Sequence, residues 1–128
     1  IEPVAIDAGS APGRIEAYRV IGSMFFGAVD KLESLADPAS GPRAPMPEVL
    51  ILDLDRMLNL DTTGLDAIEG LHKALHKNGR HLVLCAATEQ PMSLFQRSGF
   101  AVELGAQNLV ADLDSAVRRA RELLTEHA

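Results

Sequence analysis

The residues best placed to do chemistry are Asp61, Thr62, Thr63 and Gly64. With Leu65 they read DTTGL, where an apolar run gives way to a helical repeat. A turn from strand into helix gathers backbone N–H groups that lack partners, together with the positive end of the helix dipole. Two hydroxyls and a carboxylate set there can cap the helix, hold an anion or accept a phosphate. Capping is the plainest of the three: Asp61, Thr62 or Thr63 can accept from the exposed amides, and Thr63-x-x-Asp66 resembles a capping box. Phosphorylation or anion contact is the sharper alternative. A phosphate on Thr63 would add roughly −1.5 to −2 charges, favoured by the dipole and opposed by Asp61 and Asp66.

Other reactive side chains are weaker candidates. Asp53 and Asp55 close the strand before the turn and form an acidic group with Asp61, and clustered carboxylates can hold magnesium. A receiver-type phosphotransfer domain, however, needs an acidic pair after its first strand and a lysine late in the chain. Here the first strand ends in Ile21-Gly22-Ser23, and Lys77 is the last lysine. These carboxylates are therefore read as solvated loop-edge groups. His72 and His76 have the four-residue spacing that can bind zinc. Lys73 stands where a metalloprotease needs glutamate, and the pair is assigned to a polar helix face with Lys73 and Lys77. Cys85 lies in an apolar run, where cysteine acts as a small hydrophobe. No Ser-His-Asp or Cys-His set assembles, and neither GxxxxGK[ST] nor GxGxxG occurs. The expectation is no catalytic residue, no metal and no cofactor.

Elements must hold the DTTGL turn in place. Ile15–Ile21 alternates as a strand ending at Gly22, Met24-Phe25-Phe26 is a second short strand after a Gly22-Ser23 turn, and Val29, Leu32 and Leu35 mark a helix over about 27–36. Adjacent Phe25 and Phe26 point to opposite faces of an extended segment, so one packs inward and the other is free to contact a partner domain. Residues 37–48 carry Pro38, Pro42, Pro45 and Pro47 and read as an exposed loop. Val49–Leu54 is apolar throughout, as expected of a strand covered on both faces. A second helix runs from Thr63 to Lys77 with Leu65, Ile68, Leu71 and Leu75 on one face, stopped by Asn78-Gly79. His81–Ala87 is a buried strand, Met92–Phe95 a short helix ended by Gly99, and Phe100–Leu104 a last short strand. Val110, Leu113, Val117, Ala120 and Leu124 outline the final helix. Strands alternating with helices predict an α/β domain with a largely parallel sheet.

The chain has 128 residues and a net charge of −6. That length suits one domain with a single core. The acidic balance argues against nucleic acid or an anionic membrane surface as main partner. A single cysteine, Cys85, excludes an internal disulfide and suits a reducing compartment. No apolar run reaches the ~18 residues of a membrane span, and no signal peptide is visible. Residues 1–13, rich in Ala, Gly and Pro, read as a leader or linker, with the domain over 14–128. The chain begins at Ile1 rather than methionine, which suggests a piece of a longer polypeptide.

From Ile15 to Leu124 these patterns together resemble a STAS domain, the fold of bacterial anti-anti-sigma factors and of the cytosolic tails of SulP anion transporters. Two stretches resemble the transporter branch: Tyr18–Glu33, YRVIGSMFFGAVDKLE, and Gln107–Leu124, QNLVADLDSAVRRARELL, with its asparagine-hydrophobic-x-aspartate approach to the last helix. The D-[ST]-x-G-L turn is shared by both branches. The resemblance implies a mostly parallel sheet of four to five strands with about four helices. It also implies a non-catalytic regulatory and assembly domain on the cytoplasmic side of the inner membrane, contacting the transmembrane domain of the same polypeptide without itself inserting. A homodimer, or a kinase or anti-sigma-type protein, are further partners it allows. In anti-anti-sigma factors the residue before the glycine is usually a phosphorylated serine, and Thr63 stands there. A free-standing phospho-switch, or a nucleotide- or anion-sensing module, is the alternative function.

Overall fold

The computed structural model describes residues 2–4, 14–23 and 48–126. The expected Met24–Phe26 strand with Phe25 and Phe26, the 27–36 helix and nearly all of the proline-rich loop lie outside them. The strands are β1 (Glu2–Val4), β2 (Ile15–Arg19), β3 (Gly22–Ser23), β4 (Val49–Asp53), β5 (Met57–Asn59), β6 (His81–Cys85) and β7 (Leu109–Val110). The α-helices are α1 (Thr62–Lys77), α2 (Glu89–Ser98), α3 (Phe100–Leu104) and α4 (Leu113–Glu126), with a 3₁₀ turn at Ala106–Asn108.

The main sheet runs in the order β1-β2-β4-β6-β7. β2, β4, β6 and β7 are parallel, and β1 joins antiparallel, pairing Glu2 with Arg19. An edge strand therefore occupies part of the segment read as a linker. All five residues of β4 are buried, the consequence of helices on both faces. Alternation along the strands sorts the core into two layers. Leu50, Leu52, Leu82 and Leu84 meet Leu65, Ile68, Leu71 and Leu75 of α1, Phe95 of α2, and Phe100 and Leu104 of α3. Val49, Ile51, Val83 and Cys85 meet Ala116, Ala120, Leu123 and Leu124 of α4. Small alanines on the inner face of α4 let that helix lie close to the strands. At the lower edge of the sheet, Arg14 binds Glu48 through two hydrogen bonds of 3.0 and 2.6 Å, joining the starts of β2 and β4.

Several expectations are corrected. Gly22-Ser23 is not a turn: it pairs in parallel with β5, a strand the sequence pattern did not suggest, forming a separate two-stranded sheet. Phe100–Leu104 is a helix rather than a strand. Phe100 and Leu104, four apart, are both buried, whereas Val102, which a strand would place on their side, is 86% exposed. Gly99 makes the corner between α2 and α3 at φ 85°, a conformation that favours glycine. The last strand is Leu109–Val110, so Val110 belongs to the sheet rather than to α4. Asp112 ends that connection by accepting from the Ser115 amide at 2.8 Å, a bond that lowers the Asp112 pKa.

Phe95 is fully buried, with its ring 5.7 Å from that of Phe100. Phe95→Ala is expected to lower unfolding free energy by about 3–5 kcal/mol. Val102→Ala is expected to change it by less than about 0.5 kcal/mol. Urea denaturation of both variants checks this; equal losses would contradict the assignment of Phe100–Leu104 as a helix with Val102 outward.

Candidate functional site

The DTTGL turn is built from β4 upward. β4 ends at Asp53, and its carboxylate turns the chain by accepting from the Asp55 amide at 2.9 Å. The second carboxylate oxygen lies 3.4 Å from the Arg19 guanidinium of β2. Asp53 is only 4% exposed, so it is a structural carboxylate and not the solvated loop-edge group expected from sequence. Asp55 is open to solvent beside Arg56 at 3.9 Å. β5 follows, with Met57 buried and Leu58 outward, and Leu60 returns to the core.

Asp61 then caps α1. Its backbone is extended (φ −99°, ψ −179°), and its Oδ1 accepts from the Gly64 amide at 2.8 Å. The cap is Asp61 itself, so the Thr63-x-x-Asp66 capping box is not formed. Thr62 and Thr63 are already helical, both are exposed, and neither hydroxyl has a hydrogen-bond partner among the described residues. With the carboxylate of Asp61 supplying the cap, the side chains of both threonines are open to solvent.

Two residues that sequence reasoning missed hold this corner from 30 positions away. The side-chain amide of Gln90, in the first turn of α2, accepts from the Leu60 N–H at 2.8 Å and donates to the Leu60 carbonyl at 2.9 Å. The Thr88 hydroxyl donates to the Met57 carbonyl at 3.3 Å. In sequence, Thr88 and Gln90 look like ordinary residues of a helix start, and no local signal points to β5.

The remaining candidates do not gather at the corner. Cys85 is buried at the end of β6, and burial pushes its thiol up to about 12, far from a thiolate at neutral pH. His72 and His76 lie on α1 with ring centroids 5.9 Å apart. His72 is not on a solvated polar face, because its ring meets Phe100 edge-on at 5.8 Å and its Nδ1 is buried without a hydrogen-bond partner among the described residues. Burial lowers the His72 pKa, with Glu103 acting in the opposite direction and His76 and Lys73 adding to the lowering. Among the described residues no three His, Cys, Asp or Glu side chains converge in metal-binding geometry. No helix among them is long and apolar enough to cross a membrane.

A four-stranded parallel sheet layered between helices, with a capped threonine corner at the head of α1, is the architecture of a STAS domain. The STAS family model matches residues 10–116, and the chain belongs to that family. A sulfate transporter family protein from Wolinella succinogenes is similar over 94% of this chain and 96% of its own, with 27% identity and a TM-score of 0.80. The STAS domain of a SulP transporter from Vibrio cholerae matches 93% of this chain and 89% of its own, at 24% identity and a TM-score of 0.74. The anti-sigma factor antagonist SpoIIAA, in its unphosphorylated form, shares the fold at 16% identity and a TM-score of 0.61, covering 88% of this chain and 94% of its own.

Two outcomes are expected from the site. Asp61→Ala removes a helix cap and should destabilise the domain by about 1 kcal/mol, whereas Thr63→Ala leaves stability near wild type. Thermal or urea unfolding distinguishes them, and a large loss for Thr63→Ala would refute an unengaged hydroxyl. For His72, the folded state disfavours the proton that the unfolded chain takes up near the ordinary histidine value of 6.5. The stability this gives is complete above that value and is lost as pH falls below it toward the lower folded-state pKa. His72→Leu should therefore reduce the loss in urea midpoint between about pH 7.5 and 5.5.

Proposed function

We propose that this domain is the non-catalytic regulatory and assembly module of a SulP-type anion transporter, working by protein contact on the cytoplasmic side of the membrane. One observation carries the reading: a sulfate transporter family protein matches the domain over nearly the full length of both chains. The geometry supports it further. Polar side chains at the corner are committed to holding the backbone, and Thr62 and Thr63 are left outward and unengaged. An arrangement of this kind suits a surface that is touched or modified, rather than a pocket that turns over substrate.

The partner is the transmembrane domain of the same polypeptide, with Asp61, Thr62, Thr63 and Gly64 as the regulatory turn. A charge placed on Thr63 would stand at the positive end of α1, beside the carboxylate of Asp61. It would therefore change the local field, favoured by the dipole of α1 and opposed by the capping carboxylate.

The native gene upstream of Ile1 is expected to encode, in frame, a hydrophobic region with many spans. Its absence would remove the reading. In the complete transporter, Thr63→Glu is expected to change anion uptake by about fivefold or more at unchanged membrane abundance. Uptake equal to wild type for both Thr63→Glu and Thr63→Ala would show that the turn plays no regulatory part.

A further inference from the structure

We propose that Gln90 is the positioning residue of the Asp61–Gly64 corner, and that through it the start of α2 and the corner move as one unit. The observation behind this is a division of labour among the first side chains of α2. Thr88 occupies the N-cap position with extended backbone (φ −76°, ψ 177°), the geometry from which a threonine ordinarily caps its own helix. It makes no such cap bond. Its hydroxyl reaches instead to the Met57 carbonyl of β5.

Gln90 then takes both main-chain groups of Leu60 with one planar amide, donor against carbonyl and acceptor against N–H. A side chain used in this way replaces a strand neighbour for a single residue. Leu60 is itself 1% exposed, so neither group has water to fall back on. Asp61 follows directly, and its carboxylate fixes Gly64. Only the backbone of Asp61 separates the Gln90 clamp from the α1 cap, and Thr62 and Thr63 are the residues enclosed between the acceptor Asp61 and the donor amide of Gly64.

The other end of the connection is also constrained. Ala86, between β6 and α2, holds φ 58°, a left-handed conformation unusual for a residue with a Cβ. Its amide donates to the Val110 carbonyl of β7 at 3.0 Å. Residues 86–90 are thus pinned to the sheet edge at one end and to the corner at the other. A partner that shifts α2 would withdraw the clamp from Leu60, and a partner or phosphate at the corner would be felt at α2. This coupling rests on the regulatory reading above only for the role of the corner. The test needs neither transport nor a partner, so the two can fail separately.

The test compares amide hydrogen exchange in wild type, Gln90→Ala, Gln90→Glu and Thr88→Val, with protection measured at Leu60, Gly64, Met92 and Ala116. Gln90→Ala is expected to raise exchange at Leu60 on the order of tenfold and to raise Gly64 by a smaller factor, while Ala116 in α4 stays at the wild-type rate. Thr88→Val, which replaces the hydroxyl with a methyl of similar size, should raise Leu60 and Met92 modestly and spare Ala116. Gln90→Glu carries the decisive readout. As a carboxylate it sets an anionic oxygen against the Leu60 carbonyl, where Gln90 had a donor; the repulsion drives the side chain out of the clamp, and protection is lost at pH 7. As a carboxylic acid it again offers one donor and one acceptor. Protection relative to wild type at the same pH should therefore return toward about pH 4.5. A side chain that merely braced Leu60 would recover protection at Leu60 alone, whereas coupling requires Gly64 to recover with it. A rise confined to Leu60 that leaves Gly64 unchanged would overturn the proposal. So would a rise in all four amides that acid does not reverse in Gln90→Glu.

Discussion

The structure depends on β4 being closed off from water on both faces. Val49, Leu50, Ile51 and Leu52 are each at most 1% exposed. At ~1.5–3 kcal/mol for each side chain buried, these four alone contribute stabilisation comparable to the net stability of a small domain. A strand buried on two sides must have helices on both, and its parallel neighbours need crossovers to reach it. The placement of α1 and α4 on opposite faces follows from that constraint. So does the position of the threonine corner, which sits where the chain leaves the top of this strand to begin the covering helix α1.

Polar groups at the top of the sheet serve the same end. Asp53 is drawn inside because the chain must reverse immediately after β4, and its carboxylate both closes the turn and meets Arg19 of the next strand. Leu60 is drawn inside for its side chain, which leaves its main-chain groups in need of partners that β5 does not supply. Gln90 supplies them, Thr88 binds the Met57 carbonyl of β5 and Asp61 caps α1, so the framework is completed without using the hydroxyls of Thr62 and Thr63. Availability of those hydroxyls is thus a product of packing: every polar group needed to hold the corner comes from elsewhere.

Where sequence pattern and structure part company, the cause is a competing periodicity or a distant partner. Phe100 and Leu104 fit a helical repeat, but Phe100–Leu104 is short and rich enough in apolar residues to read equally well as a strand. The outward Val102 resolves the ambiguity, and only packing on α2 determines which residues turn outward. Val110 continues the apolar spacing of α4, yet Asp112 caps that helix and leaves Val110 to pair with Cys85. β5 was illegible because three residues with a single buried side chain carry no repeat at all. His72 looked like part of a polar face until Phe100, from another helix, came to rest against it.

The sequence by itself determined the α/β class, two buried strands, read over 49–54 and 81–87, the apolar face of α1 and the DTTGL turn. Each is written in local periodicity or in a contiguous motif, and local physics acts over a few residues. Tertiary structure alone decided that Asp53 is buried, that Asp61 is the residue that caps, that Glu2–Val4 joins the sheet edge, and that Gln90 reaches the backbone of Leu60. Apart from the Asp61 cap, which spans three residues, those outcomes require residues from 13 to 34 positions apart to meet. The free energy that brings them together comes from burying the whole core at once, so no short stretch of sequence carries their signature.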